Sequence, residues 1–162
     1  MMITFERGRQ RFNYRVVGVA IHSDSILLHQ AEGDDFWTLP GGRAEFGETA
    51  EQTLKREMME EIRTEVEVVR LLWFVENFFD FEDKHCHEIA LYFLMRLPTQ
   101  CEYHARPGPF EGEEKEGEVK LIFQWFPRQQ RVLAGLPLLP SFLQTAVQSL
   151  PESAQHVVHH NK

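Results

Sequence analysis

Apolar runs bounded by short polar segments recur along the chain and predict strands. Residues 16–21 (VVGVAI) are almost continuously apolar, which is typical of a strand buried on both faces. A short turn separates them from residues 25–29 (SILLH), which predict the returning strand. Residues 66–75 (VEVVRLLWFV) indicate one or two strands, and residues 88–97 (EIALYFLMRL) indicate another buried one.

Two segments instead carry the four-residue spacing of amphipathic helices, and the alternating residues 118–126 between them predict a further strand. The first helix begins near Thr49, a good N-cap. Its apolar residues are Ala50, Leu54, Met58 and Ile62. The apolar residues of the second helix are Phe142, Leu143, Ala146, Val147 and Leu150. This order of elements predicts an α+β fold in which helices cover a sheet.

The whole chain, residues 1–162, is interpreted as a single domain, because its length suits one core and no linker divides it. Residues 1–14 are assigned to an N-terminal edge, whose basic and aromatic side chains either meet a substrate or form the charged outer face of an edge strand. Residues 98–118 are rich in proline, glycine and glutamate and predict a long acidic loop. Residues 151–162 are expected to be a frayed tail.

Three glutamates near the end of the first predicted helix suggest a metal site. Glu57, Glu60 and Glu61 fall within one helical turn, so their carboxylates share one region of the helix surface. Glu57 and Glu61 lie at the margin of the apolar stripe, where a partly hydrated charge needs a partner. Mg²⁺ prefers oxygen ligands and is a natural partner. A solvated helix face would explain the Glu60-Glu61 pair alone.

Residues 41–63 (GGRAEFGETAEQTLKREMMEEIR) resemble the Nudix box, whose pattern is G-x5-E-x7-R-E-U-x-E-E-x-G-U with U an apolar residue. The matching positions are Gly42, Glu48, Arg56, Glu57, Met58, Glu60 and Glu61. Arg63 stands in place of the final glycine, and Thr64 in place of the final apolar residue. A left-handed helix end costs residues other than glycine about 1 kcal/mol or more. We therefore expect a differently shaped helix end in this chain.

The resemblance implies an α/β/α sandwich with a mixed, curved β-sheet between helices. It also implies that Mg²⁺, with Mn²⁺ as a substitute, is bound by carboxylates of the box and by a carbonyl of the glycine turn. Carried over to this chain, the metal ligands are Glu57, Glu60, Glu61 and the Gly41 carbonyl. Glu60 is assigned a catalytic role, and so is Arg56, which would hold the carboxylates in place.

A glutamate in the loop before a late strand often acts as the general base in the resembled family. The candidates in this chain are Glu114, Glu116 and Glu118. Glu116 and Glu118 are favoured because they lie nearest the predicted strand, and the sequence does not choose between them.

Further residues are assigned to the substrate because they lie near the box or at the start of a strand. His87 and Glu88 precede a buried strand, although a polar strand start explains them as well. A zinc site at this position is not expected, because structural zinc usually takes four protein ligands. Glu48 is also explained by its position beside the helix N-terminus. The assigned substrate contacts are Gly42, Glu48, Arg15, Tyr14, Glu76, His87 and Glu88.

Composition narrows the classes of partner. The formal net charge of -8 disfavours a general nucleic-acid-binding role, because such domains carry a basic face. No stretch approaches the roughly 20 apolar residues of a membrane helix, so no membrane partner is expected. Cys86 and Cys101 are interpreted as reduced thiols of a cytoplasmic protein. The sequence does not decide the oligomeric state, and a homodimer stays open.

The resemblance implies a hydrolase that cleaves the diphosphate linkage of a nucleoside diphosphate derivative. The box acts on the diphosphate and does not specify the base. ADP-ribose, a nucleotide sugar, a dinucleoside polyphosphate and an oxidised nucleoside triphosphate are therefore all candidate substrates. The alternative is a non-catalytic nucleotide-binding or regulatory module on the same fold. The intact R-E-x-x-E-E residues favour the enzyme.

Overall fold

The computed structural model describes residues 1–106, 108–113 and 119–161. The strands in these ranges are β1 (Thr4–Arg7), β2 (Gln10–His22), β3 (Ser25–Ala31), β4 (Gly41–Arg43), β5 (Glu67–Phe81), β6 (Lys84–Arg96), β7 (Phe110–Glu113), β8 (Lys120–Pro127) and β9 (Gln155–His160). The helices are α1 (Ala50–Ile62), α2 (Gln130–Leu133) and α3 (Leu143–Ala146), and a 3₁₀ turn covers Glu102–Ala105.

Strand β2 lies at the centre of a mixed sheet with the strand order β7-β8-β3-β2-β6-β5-β9. One edge of β2 pairs in parallel with β6, and the other edge pairs antiparallel with β1, β4 and β3 in turn. The predicted central strand is confirmed. It starts at Gln10, earlier than expected, so part of the segment assigned to an N-terminal edge belongs to the middle of the sheet.

Two apolar cores lie on opposite faces of the sheet. Val16 of β2 packs into the first core with Leu54 and Met58 of α1, and all three side chains are fully buried. Val17 packs into the second core with Leu143 of α3. The alternation along β2 follows from the two-residue period of a strand. Layers of helix on both faces of the sheet confirm the predicted α/β/α sandwich.

Helix α1 begins at the predicted residue. The Thr49 hydroxyl accepts a hydrogen bond from the Gln52 N–H at 3.1 Å, and the Thr49 N–H donates to the Gln52 side chain at 2.9 Å. This reciprocal pair is a capping box, which satisfies two backbone donors that the first turn would otherwise leave open. The helix start, and with it the position of each carboxylate further along, is thereby set.

The end of α1 differs from the expectation. Arg63 adopts a left-handed conformation, with φ 50° and ψ 38°. Its N–H donates to the Met59 carbonyl at 3.1 Å, and the Thr64 N–H donates to the Met58 carbonyl at 3.4 Å. The bond from the Arg63 N–H to the Met59 carbonyl is the single bond of an αL cap, where glycine is the usual residue. The prediction of a differently shaped helix end is therefore wrong. The backbone adopts the left-handed conformation even though arginine, unlike glycine, is strained in it.

The segment assigned to a long acidic loop contains ordered elements. The 3₁₀ turn and β7 both lie within it, and the rings of Tyr103 and Phe110 stack with centroids 4.2 Å apart. Phe110 is buried in the core beside α1, which explains why the chain folds back onto the sheet. Residues 107 and 114–118 lie outside the described residues.

The C-terminal residues are not a frayed tail. Strand β9 pairs in parallel with β5 along its whole length. His156 Nε2 lies 2.7 Å from Glu76 Oε2, and the ring of His160 stacks on Phe78 with centroids 4.7 Å apart. The expectation of a disordered end is wrong because these cross-strand contacts hold the segment on the sheet.

The predicted C-terminal helix is present but short, and α3 covers only Leu143–Ala146. The flanking apolar residues reach the core from turns, as Val147 does. Within the described ranges, no helix has the length and apolarity needed to cross a bilayer.

Candidate active site

A cavity of about 460 Å³ is lined by parts of β2, β4, β5, β6 and α1. Its walls include Gly41 and Gly42 of the glycine turn, Glu57 and Glu61 of α1, and Glu88 of β6. Residues that are far apart in the sequence are thus brought to one place by the pairing of β4 and β6 with β2.

The glycine turn allows a carboxylate to approach the backbone closely. A Cβ atom at Gly42 would lie 2.2 Å from the carboxyl carbon of Glu57, a distance that two non-bonded atoms cannot adopt. At Gly41, a Cβ atom would lie 2.1 Å from the Val16 carbonyl oxygen across the β2–β4 pair. Glycine at both positions therefore brings the turn against β2 and makes room for Glu57.

Arg56 is fixed by a two-pronged contact with Glu48. Its Nε donates to Glu48 Oε2 at 2.7 Å, and its Nη2 donates to Glu48 Oε1 at 3.0 Å. Glu48 Oε1 also accepts from the Thr53 hydroxyl at 3.0 Å and from the Glu45 N–H at 3.0 Å. The Arg56 guanidinium, helped by these donors, lowers the pKa of Glu48 to about 2. Glu48 is therefore ionised and anchors the arginine.

From this anchored position, Arg56 reaches the other acids of the box. Its Nη1 donates to Glu57 Oε1 at 2.7 Å and to Glu60 Oε2 at 3.3 Å. Its Nη2 donates to the Arg43 carbonyl at 3.1 Å, which ties α1 to β4. One guanidinium thus orients two of the three carboxylates, the geometry that a positioning residue requires.

The three carboxylates differ in their surroundings. Glu57 and Glu61 are only 5% and 4% exposed, whereas the side chain of Glu60 is 29% exposed. Burial raises the pKa of Glu57, and the hydrogen bond from Arg56 opposes that rise. Two acids held this deep in the protein are costly unless cations compensate them.

The donors at this site suit a hard divalent cation. Glu57, Glu61 and Gly41 line one cavity and offer oxygen atoms, which are the ligands that Mg²⁺ prefers. Glu60 contacts Arg56 and is not among the residues that line the cavity. Across the described ranges, no three His, Cys, Asp or Glu side chains are arranged to hold a metal ion. Mg²⁺ usually keeps several waters and binds through one or two carboxylates, which suits so open a donor set.

A row of three polar side chains crosses the sheet at the wall of this cavity. Asn13 of β2 pairs with Glu88 of β6, and Glu88 pairs with Asn77 of β5. They are 5%, 8% and 5% exposed respectively, and all three line the cavity. Burial raises the pKa of Glu88, while the nearby Arg15 charge and hydrogen bonds from both asparagines favour the ionised form.

Arg15 and Tyr14, two other predicted substrate contacts, lie on opposite faces of β2. Arg15 lines the cavity, and its Nη2 donates to the Leu39 carbonyl at 3.5 Å. Tyr14 packs against the core beside α1, because neighbouring side chains of a strand point to opposite faces. The structure therefore brings Arg15 to the site and leaves Tyr14 outside it.

Glu76 and His87 also lie away from the cavity. Glu76 contacts His156 of β9, as described above. The ring of His87 lies 4.5 Å from the Phe78 ring and 5.8 Å from the Phe12 ring, measured between centroids. Both residues have structural partners in the sheet. The predicted general bases Glu116 and Glu118 lie outside the described residues.

The cavity residues that sequence reasoning missed include three buried polar ones, namely Asn13, Asn77 and His29. His29 is 6% exposed, and burial lowers its pKa to about 3, so its imidazole is neutral near pH 7. The available signal was a lone polar residue inside an otherwise apolar or aromatic strand. That signal is weak, because strand side chains that face solvent show the same pattern.

Comparison with known proteins gives the family of the chain. The sequence model of the NUDIX domain matches residues 13–142. An 8-oxo-dGTP diphosphatase of Proteus vulgaris is 48% identical over 73 residues, which cover 45% of this chain and 61% of that relative. A putative ADP-ribose pyrophosphatase, YjhB, of Bacillus subtilis (strain 168) is 28% identical over 96 residues, which cover 59% of this chain and 44% of that relative. The chain thus aligns with less than two thirds of either relative.

A solved structure shares the fold. A NUDIX hydrolase from Nitrosomonas europaea superposes with a TM-score of 0.59 at 16% identity, covering 92% of this chain and 79% of that one. Identity this low supports the architecture alone. The family model covers residues 13–142, which include most of the central strand, the glycine turn and all of α1. The chain belongs to the NUDIX domain family.

Proposed function

We propose that this protein is a Mg²⁺-dependent hydrolase that cleaves the diphosphate linkage of a nucleoside diphosphate derivative. The observation that carries the proposal is the placement of Glu57 and Glu61 beside the glycine turn in one cavity. Membership of the NUDIX family supports this reaction class. The names of two relatives, a diphosphatase and a putative pyrophosphatase, point the same way.

In this proposal, Glu57, Glu61 and the Gly41 carbonyl, whose residues line the cavity, would hold Mg²⁺, for which Mn²⁺ can substitute. Glu60, which contacts Arg56, stays a further predicted ligand. The bound cation would neutralise diphosphate oxygens and lower the pKa of a water molecule. The part of Arg56 is to keep the carboxylates oriented, because it contacts Glu57 and Glu60 directly. It is a positioning residue, since it is not among the residues that line the cavity.

Other residues supply charge and proton transfer. Arg15 and Arg43 line the same cavity and can offset the negative charge of a diphosphate. Glu116 or Glu118 would accept the proton of the attacking water as the phosphoanhydride P–O bond breaks. Most of the rate acceleration would then come from positioning and charge stabilisation, because the protein forms no covalent bond to the substrate.

The direct experiment is a substrate panel with the purified protein in Mg²⁺, kept under reducing conditions because Cys86 and Cys101 are free thiols expected of a cytoplasmic protein. The panel contains ADP-ribose, a nucleotide sugar, a dinucleoside polyphosphate and normal and oxidised nucleoside triphosphates. Chromatography of the released mononucleotide measures turnover, and a chelator provides the metal-free control. We expect metal-dependent cleavage of at least one compound. Tight nucleotide binding by calorimetry with no turnover on any compound would favour the non-catalytic alternative.

A further inference from the structure

A buried amide oxygen at the wall of the cavity has no hydrogen-bond partner in the described part of the chain. Asn77 Oδ1 finds no donor among the described residues, although Asn77 is only 5% exposed. Asn77 also lines the cavity that holds Glu57 and Glu61. A buried acceptor without a donor is costly, and native proteins rarely keep one without a reason. A ligand that brings a donor into the cavity would remove this cost.

The orientation of the Asn77 amide is set by its neighbour. Asn77 lies opposite Glu88 on the paired strands and its amide favours the ionised form of that acid, and a carboxylate only accepts hydrogen bonds, so the N–H side of the amide is the one that suits Glu88. Turning the amide over would place its oxygen against the acid. The amide of Asn13 is oriented by a hydrogen bond, because its Oδ1 accepts from the Thr4 hydroxyl at 2.8 Å and its N–H side is therefore free to face Glu88 on the neighbouring strand. The unpartnered oxygen is therefore a built feature of the row.

The row selects the kind of group that can bind to it. Glu88 and Asn77 both line the cavity and carry acceptor oxygens, so a phosphate, which brings negative charge and further acceptors, is a poor ligand for this part of the wall. A neutral planar group with adjacent N–H donors is complementary to them. Phe79 and Phe81 line the same cavity and offer aromatic surface for such a ring.

The row also lies at a suitable distance from the carboxylates of the box. Glu88 pairs with Asn13 of β2, and Gly42 pairs with Val16, three residues further along the same strand. Three residues of strand span about 10 Å. A planar base held at the row would thus leave room for a sugar before a diphosphate beside Gly42.

We propose that Asn77 and Glu88 form a nucleobase subsite that binds the N–H donor edge of the base. Guanine is the best complement, because it presents two adjacent N–H donors. Uracil is the poorest, because its single N–H lies between two carbonyl groups. This inference rests on the proposed function and deepens it, since the row would choose the base while the box acts on the diphosphate.

Calorimetry with probes that cannot be cleaved tests the subsite without relying on turnover. The probes are guanosine 5′-(α,β-methylene)diphosphate, its uridine counterpart and methylenediphosphonate, which has no base, each with Mg²⁺. Asn77→Leu removes the amide at nearly constant size, and Glu88→Gln replaces one acceptor oxygen with a donor. Gln124→Leu is the matched control, because it removes an amide from β8 outside the cavity. Circular dichroism checks that each variant folds.

We expect both cavity variants to weaken the guanosine probe about tenfold or more, the effect of losing one buried hydrogen bond. Binding of methylenediphosphonate should stay within about twofold, and Gln124→Leu should change neither affinity. The subsite is refuted if both variants leave binding of the guanosine probe unchanged, or if they weaken the guanosine probe and methylenediphosphonate equally. It is also refuted if the wild-type protein binds the uridine probe as tightly as the guanosine probe. Wild-type turnover separates the two proposals. If the wild-type protein cleaves nucleotides but one of these refuting results is obtained, the proposed function stands and the subsite is wrong. If guanosine binding depends on Asn77 but no nucleotide is cleaved, the subsite stands and the proposed function is wrong.

Discussion

The carboxylate of Glu57 occupies the space that a side chain on Gly42 would need, since a Cβ atom at position 42 would lie 2.2 Å from its carboxyl carbon. Gly42→Ala must therefore displace Glu57 or move β4 away from α1. A displacement of about 1 Å at a catalytic group costs on the order of 100-fold in rate. We expect kcat/KM to fall by about that factor while the protein stays folded, as measured by steady-state kinetics and circular dichroism.

Gly135→Ala is the matched control for this substitution. The nearest atom to a Cβ at Gly135 is the Val132 carbonyl oxygen at 3.9 Å, so the site accepts a methyl group. Unchanged kinetics are expected for this variant. Wild-type activity in Gly42→Ala would contradict the assignment of the Gly42–Glu57 contact to catalysis.

Arg56→Lys tests the two-pronged contact with Glu48. A lysine ammonium keeps the charge but cannot reproduce the planar fork that donates at 2.7 and 3.0 Å. The free energy of unfolding should fall by about 1–3 kcal/mol, the range for hydrogen bonds to charged groups. Urea denaturation measures the loss. Arg106→Lys is the control, because Arg106 and Glu102 form an exposed pair at 3.7 Å whose contribution should be below about 1 kcal/mol. Equal losses in the two variants would argue against a special role for Arg56.

The contact between Arg56 and Glu48 also predicts that the stability of the protein depends on pH. The pKa of Glu48 falls from 4.5 to about 2 on folding, so the folded protein binds this proton less tightly than the unfolded chain. The stabilisation is fully present above pH 4.5 and is lost as the pH falls towards 2. Urea denaturation of the wild type and Glu48→Gln over that range should show the difference in unfolding free energy shrinking with acid. A difference independent of pH would count against the ionised pair.

Arg63→Gly should stabilise the protein. Arg63 holds a left-handed conformation with φ 50°, which costs about 1 kcal/mol in a residue other than glycine. Relief of that strain should raise the free energy of unfolding by about this amount in thermal or urea denaturation. Lys55→Gly, at an exposed position inside α1, should instead lower it by about 1 kcal/mol. Destabilisation by Arg63→Gly would mean that the arginine side chain makes a contact that outweighs the strain.

The sequence predicted the elements whose patterns are local. The run at residues 16–21 and the helix stripe through Leu54 and Met58 each specify buried positions by period alone, and both are buried as expected. Thr49 marked the helix start because capping depends on neighbouring residues. The resemblance to the Nudix box then supplied the sandwich architecture.

Features that depend on distant partners were not predicted. Strand β9 ends in histidines and reads as a tail, but its pairing with β5 and side-chain contacts such as His156–Glu76 and His160–Phe78 hold it in place. Asn13 and Asn77 lie 64 positions apart in the sequence and become neighbours of Glu88 only through strand register. The absence of glycine at position 63 wrongly predicted a differently shaped helix end, because Arg63 adopts the left-handed conformation itself.

The central claim is that the acids of α1 bind the cation that supports hydrolysis. The most direct measurement is the Mg²⁺-dependent rate of mononucleotide release by Glu61→Gln beside the wild type and the exposed control Glu67→Gln, with circular dichroism on all three. We predict that Glu61→Gln stays folded and loses turnover by at least about 100-fold, while Glu67→Gln retains it. Full Mg²⁺-dependent activity in a folded Glu61→Gln protein would contradict the account.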